Sequence, residues 1–468
     1  MIAKQDILDR AEEWQLRADI VEKDYVLGWF LAGIADHSEA GPRWVFKGGT
    51  CLKKCYLETY RFSEDLDFSL LPDAAYTREG LAQILREIAE RTTDLSGIDF
   101  PIEVVAVRER VDRQGRVTFE GKVGYRGPLS VPTTPRLLLD ITRYEPVLDK
   151  ATRRSIFHPY PDDLPDGAQV SAYSLAELFA EKTRALYERT RPRDLYDVVF
   201  LLANRAEAID FDHARELFQK KCRLKRFEPP SAATVVALAR ESPELRTEWA
   251  NMLAHQLPQL PPIESMLGPL DDLLGWIDAP VVLPITQLPA ATGRPGEELV
   301  APPGVTLWGP GVPLEIVRFA GANRLMIEFT YNGERRIAEP YSLRRARTGN
   351  LLLYAWERGS AHVKAFNVRE MSSVRATNMP FTPRYRVEFT ASAPLSAPPA
   401  ATPPLRSPMA ARSSRRAARR NGRTYVFQCP YCHKLFRHSG HDASLRKHKQ
   451  APGSLTCPGR RGYLLRIE

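Results

Sequence analysis

A chain of 468 residues, 43% hydrophobic and 26% charged, has globular composition and the length of roughly two to four domains, which excludes a single small module and a wholly disordered chain. The net charge of +9 hides an asymmetry: residues 1–278 carry 37 basic and 46 acidic side chains, whereas residues 279–468 carry 29 and 11. A basic C-terminal part on a near-neutral body suits contact with nucleic acid, the alternative being a solubilising tail. No run of about 18 apolar residues occurs and the first residues lack a signal-peptide layout, so a soluble cytoplasmic protein is expected.

Hydrophobic periodicity predicts helices over 4–17 and 21–34, then strands at 44–46, 66–70, 102–107 and 137–141, and helices again over 175–189 and 192–204. The remainder to Ile277 reads as mostly helical, with Trp249 and Trp276 as packing anchors. This is an α+β layout with a helical second half. Residues 280–313 contain eight prolines and residues 394–408 contain six, so both read as linkers. The expected domains are 1–278, a β-rich block at 314–390 and a Cys/His module at 425–468, joined by linkers 279–313 and 391–424.

Lys47-Gly48-Gly49-Thr50 falls at a strand-to-helix turn, where glycines let a phosphate approach main-chain N–H groups or simply make the turn. In Arg61-Phe62-Ser63-Glu64-Asp65-Leu66-Asp67-Phe68-Ser69-Leu70 the alternation places Asp65 and Asp67 on one face of a strand, Cβ atoms roughly 6–7 Å apart. Like charges so close raise each other's pKa unless a cation intervenes, and a divalent metal is the simplest. Asp140, inside the apolar run Leu137–Ile141, either completes a Mg²⁺ site or pairs with Arg136 or Arg143. Ser174 caps the next helix, in which Lys182 shares the face of Leu175, Leu178 and Leu186; it must snorkel out or meet an anion, here a triphosphate. Arg193, Asp194 and Asp197 follow Pro192 and read as supports for Lys182 or Arg189 rather than as reacting groups.

In combination and order, Phe46-Lys47-Gly48-Gly49-Thr50, Arg61–Phe68, Glu181-Lys182 and Arg193-Asp194-Leu195-Tyr196-Asp197 resemble the nucleotidyltransferase toxins of the AbiEii/AbiGii abortive-infection family, over about residues 20–277. The resemblance implies a DNA polymerase β-like nucleotidyltransferase core with a helical C-terminal part. It implies that Gly48, Gly49 and Thr50, with Lys47, cradle a triphosphate, that Arg61 and Ser63 line the pocket, and that Lys182 steadies the phosphates. The resemblance further implies that Asp65 and Asp67 bind Mg²⁺, joined by Asp140 only from its place in a later strand.

Residues 314–390 hold strand-like runs at 324–331, 335–343, 351–356 and 363–368, hence a small barrel. Ile327, Phe329 and Tyr331, then Arg335-Arg336 before Glu339-Pro340, then Leu353-Tyr354-Ala355 and Phe381, are similar to a WYL domain; that likeness makes Arg335, Arg336, Arg344, Arg345 and Lys364 candidate nucleic-acid contacts or plain solvated charges. No acidic residue lies between Glu388 and Asp442, which makes an arginine-rich tether of this segment. Cys429, Cys432, His448 and Cys457 resemble a C2H2 finger with lengthened spacing, binding structural Zn²⁺, with His441 and His438 as alternatives to Cys457. The expected activity is Mg²⁺-dependent transfer of NMP from an NTP to a nucleic acid such as the tRNA 3′ end, by a bacterial toxin with an antitoxin partner. The contrary expectation is a non-catalytic regulator that senses nucleotide and binds nucleic acid through its C-terminal modules.

Overall fold

The computed structural model describes residues 1–279 except 59, 75 and 112–114, then 288–291, 297–299, 314–388, 425–429, 434–438, 445, 446, 448, 457 and 463–467. The chain forms two compact units, Met1–Pro398 and Pro399–Glu468. In the first, α1 (Lys4–Trp14) and α2 (Ala18–Asp36) occupy the expected positions, and α2 is buried on almost every side. The short α3 (Ala40–Arg43) leads into β1 (Trp44–Lys47), then α4 (Gly48–Cys51) and a π-helical turn at Leu52–Tyr56. β2 (Asp65–Leu70), α5 (Arg78–Ser96), β3 (Ala106–Val111), β4 (Val117–Gly124), β5 (Arg136–Thr142), β6 (Thr152–Ser155) and β7 (Gln169–Ala172) complete this part. Of the strand expected over 102–107, Ile102–Val104 form a 3₁₀ turn, and the strand begins at Ala106.

The sheet has the order β3-β4-β5-β2-β1-β7-β6, with β2/β5 and β1/β7 parallel and the other pairs antiparallel. Period two sorts β2 and β5: Leu66, Phe68, Leu139 and Ile141 are buried on the side where α2 and α5 pack. Asp65, Asp67 and Asp140 belong to the opposite face.

The helical part comprises α6 (Leu175–Arg189), α7 (Pro192–Arg205), α8 (Phe211–Leu224), α9 (Ala232–Glu241), α10 (Pro243–Leu253), α11 (Ile263–Leu267) and α12 (Leu270–Leu274). Ser174 Oγ accepts from the Glu177 N–H to start α6, and Pro192 occupies the first turn of α7, where its missing N–H costs nothing. Trp276 is fully buried against Phe179, Phe211 and Phe218, while the Trp249 indole donates to the Pro261 carbonyl at 2.8 Å.

β8 (Glu298–Leu299), α13 (Leu314–Ala322), β9 (Leu325–Tyr331), β10 (Glu334–Arg345), β11 (Leu351–Glu357), β12 (Lys364–Asn367) and β13 (Met371–Pro380) form a second antiparallel sheet in the same unit, ordered β12-β11-β10-β9-β13 with β8 against β10. The order is open among the described residues, with β12 and β13 at its ends. This sheet is docked on the helical part: Tyr196 Oη donates to Asn323 Oδ1 at 2.7 Å, and the Arg324 guanidinium donates to the Ala203 carbonyl at 2.6 Å. Arg335 pairs with Glu328, Arg336 and Lys364 with Glu357, and Arg344 with Glu388, so each of these four candidate contacts already has a carboxylate partner. In the second unit β14 (Tyr425–Gln428) lies between β15 (Leu435–His438) and β16 (Tyr463–Ile467), all antiparallel. No described helix is long and apolar enough to cross a membrane.

Candidate active site

Strand register assembles one row of charge across the sheet. Lys47 on β1 pairs with Asp67 on β2, Asp67 with Asp140 on β5, Asp140 with Glu120 on β4, and Glu120 with Arg108 on β3. Asp65 stands two residues before Asp67 on the same face, its side chain 47% exposed. Asp140 makes no ion pair with Arg136 or Arg143, so among the described residues the salt-bridge alternative does not account for it.

The electrostatics follow from this packing. Burial pushes the Asp67 carboxyl up to about 7; Asp140 and Asp65 add to the shift, against the pull of Lys47 and Lys182. Asp140, at the centre of the row, is solvent-facing, yet the protein around it also raises its carboxyl, with Glu145 and Glu120 contributing. Three hard oxygen donors with an excess of negative potential match what a divalent cation needs, and Asp67 holding a proton near neutrality is the mark of that excess.

The glycines are closely enclosed by side chains of the site. Gly48 has φ +79°, and a Cβ there would lie 2.1 Å from Asp67 Oδ2; a Cβ on Gly49 would lie 2.5 Å from Arg61 Nη2 and 3.1 Å from Ser63 Oγ. Both make room for side chains of the site. Thr50 is fully buried and donates its hydroxyl to the Asp65 carbonyl at 2.5 Å, which fixes the start of β2 and takes that hydroxyl away from a ligand. Ser63 is 8% exposed beside Gly49.

Arg61, expected to line the pocket, lies beneath it. It is 2% exposed and grips Asp197 with two hydrogen bonds of 2.6 and 2.8 Å, while Nη1 donates to Gln256 Oε1 at 2.9 Å. Asp197 also holds Lys182 Nζ at 2.7 Å, and Asp194 binds Arg189 at 2.7 and 3.0 Å and approaches Lys182 at 3.5 Å. The Arg61 and Lys182 charges outweigh burial and hold the Asp197 carboxyl well below its ordinary range. Both aspartates therefore support Lys182, which in turn acts on Asp67. Arg193 is half-buried at the rim, Nη1 is 4.0 Å from Asp65 Oδ2, and its buried Nε has no hydrogen-bond partner among the described residues.

Glu145, which the sequence did not single out, pairs with Lys47 and accepts from Lys225 at 2.7 Å. Lys47 above all, then Lys225, keeps its carboxyl well below the usual value. Lys221 on α8 meets Glu177 and Glu181 at 2.9 and 3.0 Å, so α6, α8 and β1 converge on one cluster of alternating charge.

In the second unit Cys429 Sγ, Cys457 Sγ and a His448 ring nitrogen lie within 4.8 Å of one another. The sulfurs are 3.7 Å apart, too far for a disulfide. His448 Nδ1 faces the Arg446 carbonyl at 2.7 Å. His438 is outside this group, its ring packed on Phe427; Cys432 and His441 lie outside the described residues.

No curated protein matches the chain. Among solved structures, MenT4, a nucleotidyltransferase toxin from Mycobacterium tuberculosis H37Rv, is 21% identical, covering 60% of this chain and 91% of its own, with a TM-score of 0.39. The model of the nucleotidyl transferase AbiEii toxin family, type IV toxin–antitoxin system, matches residues 29–275, from within α2 past the end of α12, and so includes the whole carboxylate row and its lysines. That match takes in more than half of the chain, which is accordingly a nucleotidyltransferase of the AbiEii toxin family.

Proposed function

We propose that this protein is a Mg²⁺-dependent toxin that moves NMP from an NTP onto a nucleic-acid hydroxyl, foremost the 3′ end of tRNA, with release of pyrophosphate. The observation that carries the reading is the register Lys47–Asp67–Asp140 with Asp65 on the same face. Asp65, Asp67 and Asp140 would hold Mg²⁺, which when bound supplies Lewis-acid stabilisation of the phosphoryl oxygens and the attacking hydroxyl. Lys47 and Lys182 flank Asp67 and present positive charge to the phosphates. Arg193, with donors directed beside Asp65, would take a phosphate oxygen from the rim. Arg61, Asp194, Asp197 and the two glycines position these groups from below.

Residues 314–390 are proposed as a WYL-like module and 425–468 as a zinc-stabilised module that delivers the nucleic acid. Supporting this are the four expected strands of the former and the Cys429/His448/Cys457 cluster of the latter. The biological setting would be abortive infection, with an antitoxin as the partner in the uninfected cytoplasm. The test is direct: incubate the purified protein with Mg²⁺, total RNA and each α-labelled NTP in turn. Label is expected in RNA of tRNA size with at least one nucleotide; no transfer from any of the four would contradict the proposal.

A further inference from the structure

A cavity of about 530 Å³ opens where the second sheet meets the helical part, a volume in the range that holds small organic ligands. Tyr196 and Phe200 of α7, Met266 and Leu273 of α11 and α12, and Phe381 beyond β13 give it a mostly apolar, aromatic wall. One cation, Arg324, lines it.

Arg324 is anomalous in three respects. Its guanidinium donates only to neutral oxygens: the Ala203 carbonyl at 2.6 Å, the Gly321 carbonyl at 2.7 Å and Asn204 Oδ1 at 3.4 Å. Its buried Nε has no partner. Its backbone is left-handed, φ +56°, at the residue that closes α13, a position where glycine or asparagine is easier. Burial lowers its pKa to about 10, with no carboxylate opposing the shift. The C-terminal ends of α7 and α13 offset part of the charge through their carbonyls. Among the described residues the guanidinium has no carboxylate partner, unlike Arg61 on Asp197, and the one carboxylate that lines the cavity, Glu264, is paired with Arg246 at 2.8 Å.

We propose that this cavity is a ligand site, separate from the carboxylate row, for a small organic anion: an aromatic or apolar body in the cavity with one anionic group on Arg324. Nothing in the nucleotidyl transfer chemistry uses these residues. The anion supplies the missing counter-charge, and the body covers the apolar wall.

The probe is 1-anilinonaphthalene-8-sulfonate, an aromatic body with one anionic group, titrated by fluorescence into the full-length protein beside N-phenyl-1-naphthylamine, the same body without the sulfonate. Saturable binding of the sulfonate at one site per chain is expected, with Arg324→Gln weakening it at least tenfold and leaving the neutral dye unchanged. Ala203→Phe, which fills the cavity while retaining Arg324, should remove both. Equal sulfonate binding in wild type and Arg324→Gln, or retention of both dyes by Ala203→Phe, overturns the proposal. So does the absence of saturable binding to the wild type, since the cavity would then be closed by the chain itself. If Arg324→Gln does not fold, Ala203→Phe and the comparison of the two dyes on the wild type decide the matter.

Discussion

At Asp67, burial and two neighbouring carboxylates outweigh two lysines, and the consequence can be followed through pH. The unfolded carboxyl titrates near 3.8 and the folded one near 7, so between these values the native chain holds a proton that the unfolded chain has lost. Stability without divalent cation therefore falls as pH rises through this window. Asp67→Asn is expected to remove most of that slope, seen as urea midpoints against pH; an unchanged slope would assign the pH dependence elsewhere. Gly48 is the second residue whose role is fixed by contact. Gly48→Ala places a methyl against the Asp67 carboxylate at a positive φ, so a loss of about 1–2 kcal/mol or more is expected, together with the loss of label transfer. The aspartates were legible in the sequence because period two is rigid. The contacts of the glycines with Asp67 and Arg61 were not legible, because the motif is the same whatever side chain packs above it.

At the scale of elements, α6 and α7 form a clamp rather than a pocket wall. Arg61 from the segment before β2 reaches Asp197 on α7, and Asp197 reaches Lys182 on α6, so one buried carboxylate ties three segments together. Arg61→Ala leaves Asp197 buried with one cation fewer, and a cost of about 3–5 kcal/mol is expected in denaturant unfolding, with Arg61→Lys recovering only part because the bidentate fork is lost. A change below 1 kcal/mol would return Arg61 to the pocket. The helices α6 and α7 were readable from the Ser174 cap and Pro192, both local signals. β4 was not, since Gly121 and Gly124 interrupt its apolar alternation, and β13 was not, since its partner β9 lies some fifty residues earlier in the chain. Long-range pairing of this kind leaves little trace in local pattern.

For the whole molecule, the two units make separate demands. The first has a continuous apolar core that runs from α1 into the second sheet, while among the described residues of the second Phe427, Cys429, Leu445 and Cys457 cluster with Phe436 beside them. The proposed zinc on Cys429, His448 and Cys457 would brace this cluster. One zinc per chain is expected by metal analysis. A zinc-selective chelator should make residues 425–468 susceptible to protease while leaving the unfolding transition of the first unit in place; a zinc-free chain with that segment equally resistant would contradict the metal assignment. The Cys/His spacing placed Cys429, His448 and Cys457 together, whereas the docking of the second sheet through Tyr196–Asn323 and Arg324–Ala203 could not be read before the fold brought those residues together.

The carboxylate row on β2 and β5 is tested most directly by Mn²⁺ binding followed by electron paramagnetic resonance on the zinc-loaded full-length protein, between pH 5.5 and 8.5. Binding should tighten as the proton leaves Asp67, level off above about 7, and be lost in Asp67→Asn and weakened in Asp140→Asn. Equal Mn²⁺ affinity in the wild type and Asp67→Asn, or affinity that does not change across that range, would contradict it.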